Sequence, residues 1–390
     1  MRAVLVSYDG VCTGPGRSQT VPYVRGLRAR GHEVALLSYE RPEHIADAAR
    51  VRAVEEDLAG ARWERLPWRR SALRDLAAGL VRLRRVAREQ RADLVHARGY
   101  VPALLARAAG RRYVFDMRGF WPDERADAGH WRRDALAYRT WKRIERALCA
   151  RAGAVVVLSE RARDELRRLH LVPEPRPVHV VPTCTDLARF RPLAPTERSP
   201  ETWGGAARYV MLGGTGTWYL PEAMFDFAAR ALARDATAVL HVLTPDAPEP
   251  LRDALARRRV PVDRALVRDV AHADVPQWIA GAAAGIALLR ATWSKAASCP
   301  TKLGEFLACG VPVVMSSGIG DVDRLFAAER VGVAVPATDG ASLDAALDAL
   351  DVLRAEGPAL AARCRAVAER RFALDVALDV YERAYAEAAA

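Results

Sequence analysis

The segment Ser298-Cys-Pro-Thr-Lys-Leu-Gly-Glu-Phe-Leu-Ala-Cys-Gly-Val-Pro-Val-Val314 sets a cation and a carboxylate three residues apart near the start of a helix. Ser298 and Cys299 lead into it, and Pro300 suits its first turn. The backbone N–H groups from about Thr301 to Leu303 are then left without intrahelical partners, which makes an anion site. Lys302 adds a full positive charge there. Glu305 falls on the same helix face. Phosphates would repel a carboxylate so placed, so it is better suited to accept hydrogen bonds from a pair of hydroxyls, such as those of a ribose. A surface Lys–Glu pair on an ordinary helix is the plain alternative.

Four other segments put small or charged residues just after apolar runs. Tyr8–Gln19 carries Gly14 and Gly16, which allow close approach of a ligand to the backbone, followed by Arg17 and Ser18. Its spacing is not G-x-G-x-x-G, so the dinucleotide fingerprint is missing. Met211–Tyr219 holds Gly213, Gly214, Thr215 and Gly216, a loop suited to phosphate; a tight turn is the alternative for both loops. Tyr113–Glu124 brings Asp116, Arg118 and Trp121 to a strand end, where catalysis or binding is expected. An internal Asp116–Arg118 ion pair is the competing reading. Asp93–Tyr100 carries His96, read as a core histidine, and Arg98, read as reaching a ligand cleft.

Short apolar strands alternating with helical periodicity hold these segments: 3–7, 33–38, 93–96, 113–115 and 154–158, then 209–212, 238–243, 265–267, 284–289 and 311–315. The pattern predicts an α/β fold of two tandem Rossmann-like, doubly wound domains with an interdomain cleft. The expected limits are 1–190 for the first domain, a Pro-rich linker over 191–203, 204–371 for the second, and a terminal helix over 372–390 that closes the second domain or straps back to the first.

The formal charge of +11 over 390 residues is uneven. Residues 1–195 have 38 Lys and Arg against 23 Asp and Glu, net +15; the remainder has 21 against 25, net −4. No RNA-binding or zinc-finger pattern accompanies the basic half, so no nucleic-acid partner is expected. Six scattered cysteines without C-x-x-C spacing read as reduced and structural. The N-terminus reads as a strand rather than a signal peptide, and the expected location is cytoplasmic.

The Pro300–Val314 segment closely resembles the donor-site signature of the retaining GT-B glycosyltransferases called family four. Ser7-Tyr-Asp-Gly10, Gly216-Thr-Trp-Tyr219, Gly318-Ile-Gly-Asp321 and the tail Arg371-Phe-Ala-Leu374 with Tyr381 resemble the same family. The resemblance implies a nucleotide-sugar donor, a UDP-sugar, held by the C-terminal domain. It implies an acceptor in the N-terminal domain (a glycan, a lipid-linked or a small molecule), retention of configuration and no metal. Glu305 would hold the ribose. Ser298, Cys299, Pro300, Thr301, Lys302 and Leu303 would hold the diphosphate, with Gly214, Thr215, Gly216 and Arg290 lining the donor site. Gly14 and Gly16 would close over the donor. Arg98, Arg118 and Trp121 fall to the acceptor side, and Asp116 or a donor phosphate oxygen would take the acceptor proton.

The sequence departs from that family at three places. Ala297 stands where a glutamate often contacts the transferred sugar, Gly214–Tyr219 lacks the usual Arg and Lys, and Asp116 replaces a frequent histidine. Arg290, Lys295 or Arg17 are the expected substitutes for the missing cations. A catalytically silent subunit and a GT-B nucleotide-sugar epimerase are the competing functions. Residues 62–91 add an Arg-rich amphipathic stretch in which Leu73, Leu76, Leu80 and Leu83 alternate with Arg70, Arg74, Arg82, Arg84, Arg85 and Arg88. It reads either as a peripheral contact with the inner face of the membrane or as an ordinary helix whose leucines pack on a sheet.

Overall fold

The computed structural model describes residues 1–12, 14–68, 72–199 and 207–390. The chain divides into two compact units, one comprising residues 1–184 with 374–390 and the other residues 185–373. The division falls ahead of the Pro-rich stretch; residues 200–203 of the expected linker, and Arg70, lie outside the described residues.

The first unit is built on seven parallel strands. They are β1 (Arg2–Ser7), β2 (Glu33–Glu40), β3 (Trp63–Pro67), β4 (Leu94–Arg98), β5 (Tyr113–Asp116), β6 (Ala154–Val157) and β7 (Val178–Val180), in the order β3-β2-β1-β4-β5-β6-β7. The second has six: β8 (Arg208–Leu212), β9 (Val239–Leu243), β10 (Ala265–Arg268), β11 (Ala284–Ala287), β12 (Val313–Ser316) and β13 (Gly332–Val335), in the order β10-β9-β8-β11-β12-β13. The central strands are near-continuous apolar runs because helices cover both faces of a parallel sheet. In each unit the order reverses at one point, between β1 and β4 and between β8 and β11. Crevices at such points, at the carboxyl ends of the strands, are where open α/β sheets take ligands.

The last helix, Leu374–Ala389, belongs to the first unit. Its buried face, Ala377, Leu378, Tyr381, Ala384, Tyr385 and Ala388, joins the core formed with the helix Gly14–Ala29 and the sheet. Arg30 fastens its outer face through Asp379 (2.5 Å) and Glu382 (2.9 Å). Two glycines admit it: a Cβ on Gly26 would lie 2.5 Å from Leu378 Cδ1, and one on Gly153 would lie 2.5 Å from Ala388 Cα.

The Arg-rich helix Ala72–Glu89 turns part of its apolar face into the core. Leu83 and Val86 are fully buried. Arg82 and Arg85 pair with Glu64, and Arg84 donates to the Ala108 carbonyl. Part of the apolar stripe is therefore already spent on the core, and much of the basic face on neighbouring acceptors. Among the described residues no helix is long and apolar enough to cross a membrane.

Gly153→Val should loosen the terminal helix, because the opposing atoms are backbone and cannot swing away. We expect a loss of about 1–3 kcal/mol, typical of overpacking, read from the urea midpoint, together with faster amide exchange over residues 374–389.

Candidate functional site

In the second unit the loops after β8 and β11 meet at the strand-order reversal. Arg290 N–H donates to the Trp218 carbonyl (2.8 Å), Leu220 N–H to that of Leu288 (2.9 Å), and Tyr219 bridges Leu289. Gly213 begins the loop with φ of +78°. A Cβ there would lie 3.1 Å from Lys302 Cε and 3.2 Å from Nζ, so glycine is needed both for the turn and for the room it leaves the lysine.

Lys302 stands in the first turn of the helix Thr301–Ala308, which no side chain caps. Its Nζ lies 3.6 Å from the centroid of the Tyr219 ring. Among the described residues no carboxylate forms an ion pair with it. Burial lowers its pKa to about 8, with the charges of Glu305 and Asp246 acting the other way. The same desolvation pushes the Tyr219 phenol up to about 12. A second cation, Lys295, lies buried with Nζ 3.8 Å from the Trp218 ring, and the guanidinium of Arg290 is 5.1 Å from that ring. The Lys295 carbonyl accepts from Ser298 N–H (3.1 Å) and Gly320 N–H (2.8 Å), tying the approach to the helix to the loop after β12.

Glu305 is buried on the same helix, and His272 Nε2 lies 3.0 Å from its Oε1. Leu303 turns its side chain into the core and its N–H donates to the Pro300 carbonyl (3.1 Å), which takes it from the expected set of open donors. Thr215 is committed: its N–H (2.6 Å) and Oγ1 (2.7 Å) both donate to Asp246, which these bonds hold below the usual carboxylate range. Asp246 and His272 escaped the sequence reading. Both lie in loops after strands, but within polar, Pro- or Ala-containing stretches that carry no motif.

In the first unit β4 and β5 carry a buried charged cluster. Asp116 is 0% exposed. Tyr381 OH donates to its Oδ2 (3.0 Å), and His96 Nε2 lies 3.4 Å from the same oxygen. Arg98 Nη1 is 3.5 Å from Oδ2 and Arg118 Nη1 3.5 Å from Oδ1. Burial by itself would raise this carboxyl, but Arg118, His96 and Arg98 outweigh it and hold it well below the usual range. The expectation that Asp116 takes a proton therefore gives way to an ion-pair role: an enclosed carboxylate held so firmly ionised is a weak base. His96 is the satisfied core histidine expected, with Nδ1 3.0 Å from Tyr385 OH. Arg98 is directed to Asp116.

Two further expectations are redirected by local packing. Arg17 is held by Asp57 (2.6 and 2.9 Å) and the Ala53 carbonyl, which takes it from the donor role. A Cβ on Gly16 would lie 2.0 Å from the Gly10 carbonyl oxygen, so its smallness serves the loop's own backbone; Gly14, with φ of +57°, has nothing within 4 Å of that position. Trp121 is half-buried in an aromatic group with Trp141 (4.8 Å between centroids), Trp131 (5.2 Å) and Tyr100 (5.8 Å).

Comparison with known proteins gives the class. Over the whole chain the structure is similar to sucrose-phosphate synthase from Thermosynechococcus elongatus (TM-score 0.74, 15% identity, covering 99% of this chain and 98% of that one). It is similar to a glycosyltransferase from Rickettsia africae (TM-score 0.74, 13% identity, 99% and 98%). It is also similar to Anabaena HepE, solved with UDP and glucose (TM-score 0.71, 16% identity, 98% and 99%). At this identity the likeness establishes the fold, two Rossmann-like units of the GT-B glycosyltransferase type. Residues 21–189 match the Glycosyltransferase Family 4 profile. No curated protein matches the chain by sequence.

Asp116→Asn should cost about 3–5 kcal/mol, as removal of one partner from a buried ion pair does. The carboxyl pKa is depressed in the fold, so its contribution is complete above about pH 4, near the value of a free aspartate. It fades as pH falls below that. Urea unfolding of both proteins between pH 3 and 7 should show their difference shrinking at the acid end.

Proposed function

We propose that the chain is a retaining, metal-independent glycosyltransferase that moves a sugar from a nucleotide-sugar, a UDP-sugar, to an acceptor held by the N-terminal unit. The observation that carries the proposal is Lys302: a desolvated cation, unmatched by a carboxylate, in the first turn of an uncapped helix. That arrangement favours a diphosphate, since the helix start and the ammonium supply positive charge in one place. Glu305, steadied by His272, is suited to a ribose hydroxyl pair. The solved HepE complex with UDP and glucose supports the choice of uridine nucleotide.

In this reading the bond from the sugar C1 to the diphosphate oxygen breaks, and a bond from C1 to the acceptor oxygen forms on the same face. Charge growing on the leaving phosphate is met by Lys302 and the helix start, already in place before the reaction. The acceptor proton passes to a phosphate oxygen of the donor, because Asp116 is enclosed. Lys302 supplies the charge that a metal supplies in other transferases. A catalytically silent subunit is favoured by one observation, the buried methyl of Ala297 where the family often has a glutamate. Release of UDP from UDP-glucose would exclude it.

Calorimetric titration with UDP tests the site. Lys302→Ala and Glu305→Gln should each weaken binding by on the order of 1.5–3 kcal/mol, the worth of a charge-assisted hydrogen bond, or roughly ten- to a hundredfold. Unchanged affinity in both would overturn the assignment. Lys302 is half-protonated near pH 8 in the free protein, and only the ammonium attracts the diphosphate. UDP affinity should therefore fall as pH rises above about 8, and the Lys302→Met variant should lack that fall.

Transfer should persist in EDTA, with a product anomer matching the donor by NMR. Turnover that requires added Mg²⁺ or Mn²⁺ would refute metal independence, and an inverted product would refute retention.

A further inference from the structure

The charged cluster of the first unit is incompletely paired among the described residues. Arg98 ends β4, and Arg118 stands two residues beyond β5, both at the carboxyl edge of the sheet; β4 flanks the strand-order reversal. Arg98 is 6% exposed and the Arg118 side chain 13%. Each reaches a different oxygen of Asp116 at 3.5 Å, beyond the range of a good hydrogen bond. Nε and Nη1 of Arg98 and Nη1 of Arg118 have no hydrogen-bond partner among the described residues. The hydroxyl of Tyr23, in the helix Gly14–Ala29, is buried beside Cys184 and lies within the field of both guanidiniums.

Buried donors in native proteins almost always find an acceptor, and an unmatched buried guanidinium is expensive. One arginine would neutralise Asp116. The second leaves surplus positive charge, partly offset by Asp9, and three N–H groups without a hydrogen bond beside Asp116 Oδ1, itself without one. Burial and mutual repulsion weigh on Arg98, while Asp116 supports Arg118. Arg118 also holds a left-handed backbone, φ of +58°, uncommon for a residue with a side chain. A fold needing only to neutralise Asp116 would require neither the surplus charge nor the strained position.

We propose that Arg98 and Arg118 bind an oxyanion, a phosphate or a carboxylate, carried by the acceptor. The acceptor is thereby an anionic molecule rather than a neutral sugar. The inference rests on the reading of the first unit as the acceptor half. Guanidinium forks suit the purpose because they present paired N–H groups to planar or tetrahedral oxyanions.

Inorganic phosphate, titrated into the full chain at fixed ionic strength and followed by phosphorus NMR, tests it. Lys302→Ala removes the charge of the donor site and should leave binding at the acceptor site unchanged. Arg118→Lys keeps one charge but loses the fork and should weaken phosphate in the Lys302→Ala background at least tenfold. Arg118→Gln should abolish binding; its far-UV circular dichroism shows whether the fold survives, and the lysine variant decides if it does not. Displacement of phosphate by acetate assigns a carboxylate-accepting site, and failure of acetate to displace it assigns a phosphate site. Loss of all phosphate binding in Lys302→Ala, or equal affinity across the Arg118 variants, overturns the proposal. A wrong donor assignment would appear separately, as UDP affinity indifferent to Lys302.

Discussion

The second unit is organised around a cation that has been taken out of water without being given a carboxylate. Desolvating an ammonium is costly, and a facing aromatic ring returns only part of what hydration supplied. Lys302 therefore keeps a strong preference for any anion that reaches it. The surrounding loops follow from that constraint. A Cβ at Gly213 would crowd the ammonium, Tyr219 lies against it, and Asp246, held by Thr215, supports its charge without forming an ion pair with it. The depressed pKa of Lys302 expresses the same fact in solution terms.

Residue choice sharpens the point. Among 59 Lys and Arg residues only three are lysine: Lys142, Lys295 and Lys302. All three occupy confined positions. Lys142 lies between Asp123 and Glu145, and Lys295 and Lys302 lie over aromatic rings. An ammonium is a compact point charge, whereas a guanidinium is a broad planar fork. Gly213, whose Cβ position lies only 3.2 Å from Nζ, marks how closely the backbone approaches the ammonium. An otherwise arginine-rich chain thus uses lysine where volume is limiting.

The first unit uses the opposite chemistry. The cations around Asp116 are arginines, enclosed with it beneath the terminal helix. Tyr381 and Tyr385, supplied by the last sixteen-residue element, complete the polar contacts of Asp116 and His96. The chain's end therefore closes a cluster founded by β4 and β5, which makes the terminal helix part of the first core rather than an appendage. This also explains the small residues Gly26 and Gly153 at its seat.

The long apolar strands, the helix beginning at Pro300 and the Lys302–Glu305 pair were all legible in the sequence, because each is a local pattern of period, cap and spacing. The strands over Trp63–Pro67, Val178–Val180 and Gly332–Val335 were not. All three are edge strands, one of mixed polarity, one three residues long and one a short Gly-containing run, so none carries a periodic signal. The helix Gly14–Ala29 begins within the Gly-containing segment and continues through Pro22, against what those residue types announce. Only tertiary structure decided which charges were already spent. Arg17 meets Asp57, forty residues away, and Asp116 meets Tyr381, 265 residues away. Type and spacing name the groups able to do chemistry; whether a group is free to do it depends on partners that the fold brings from distant parts of the chain.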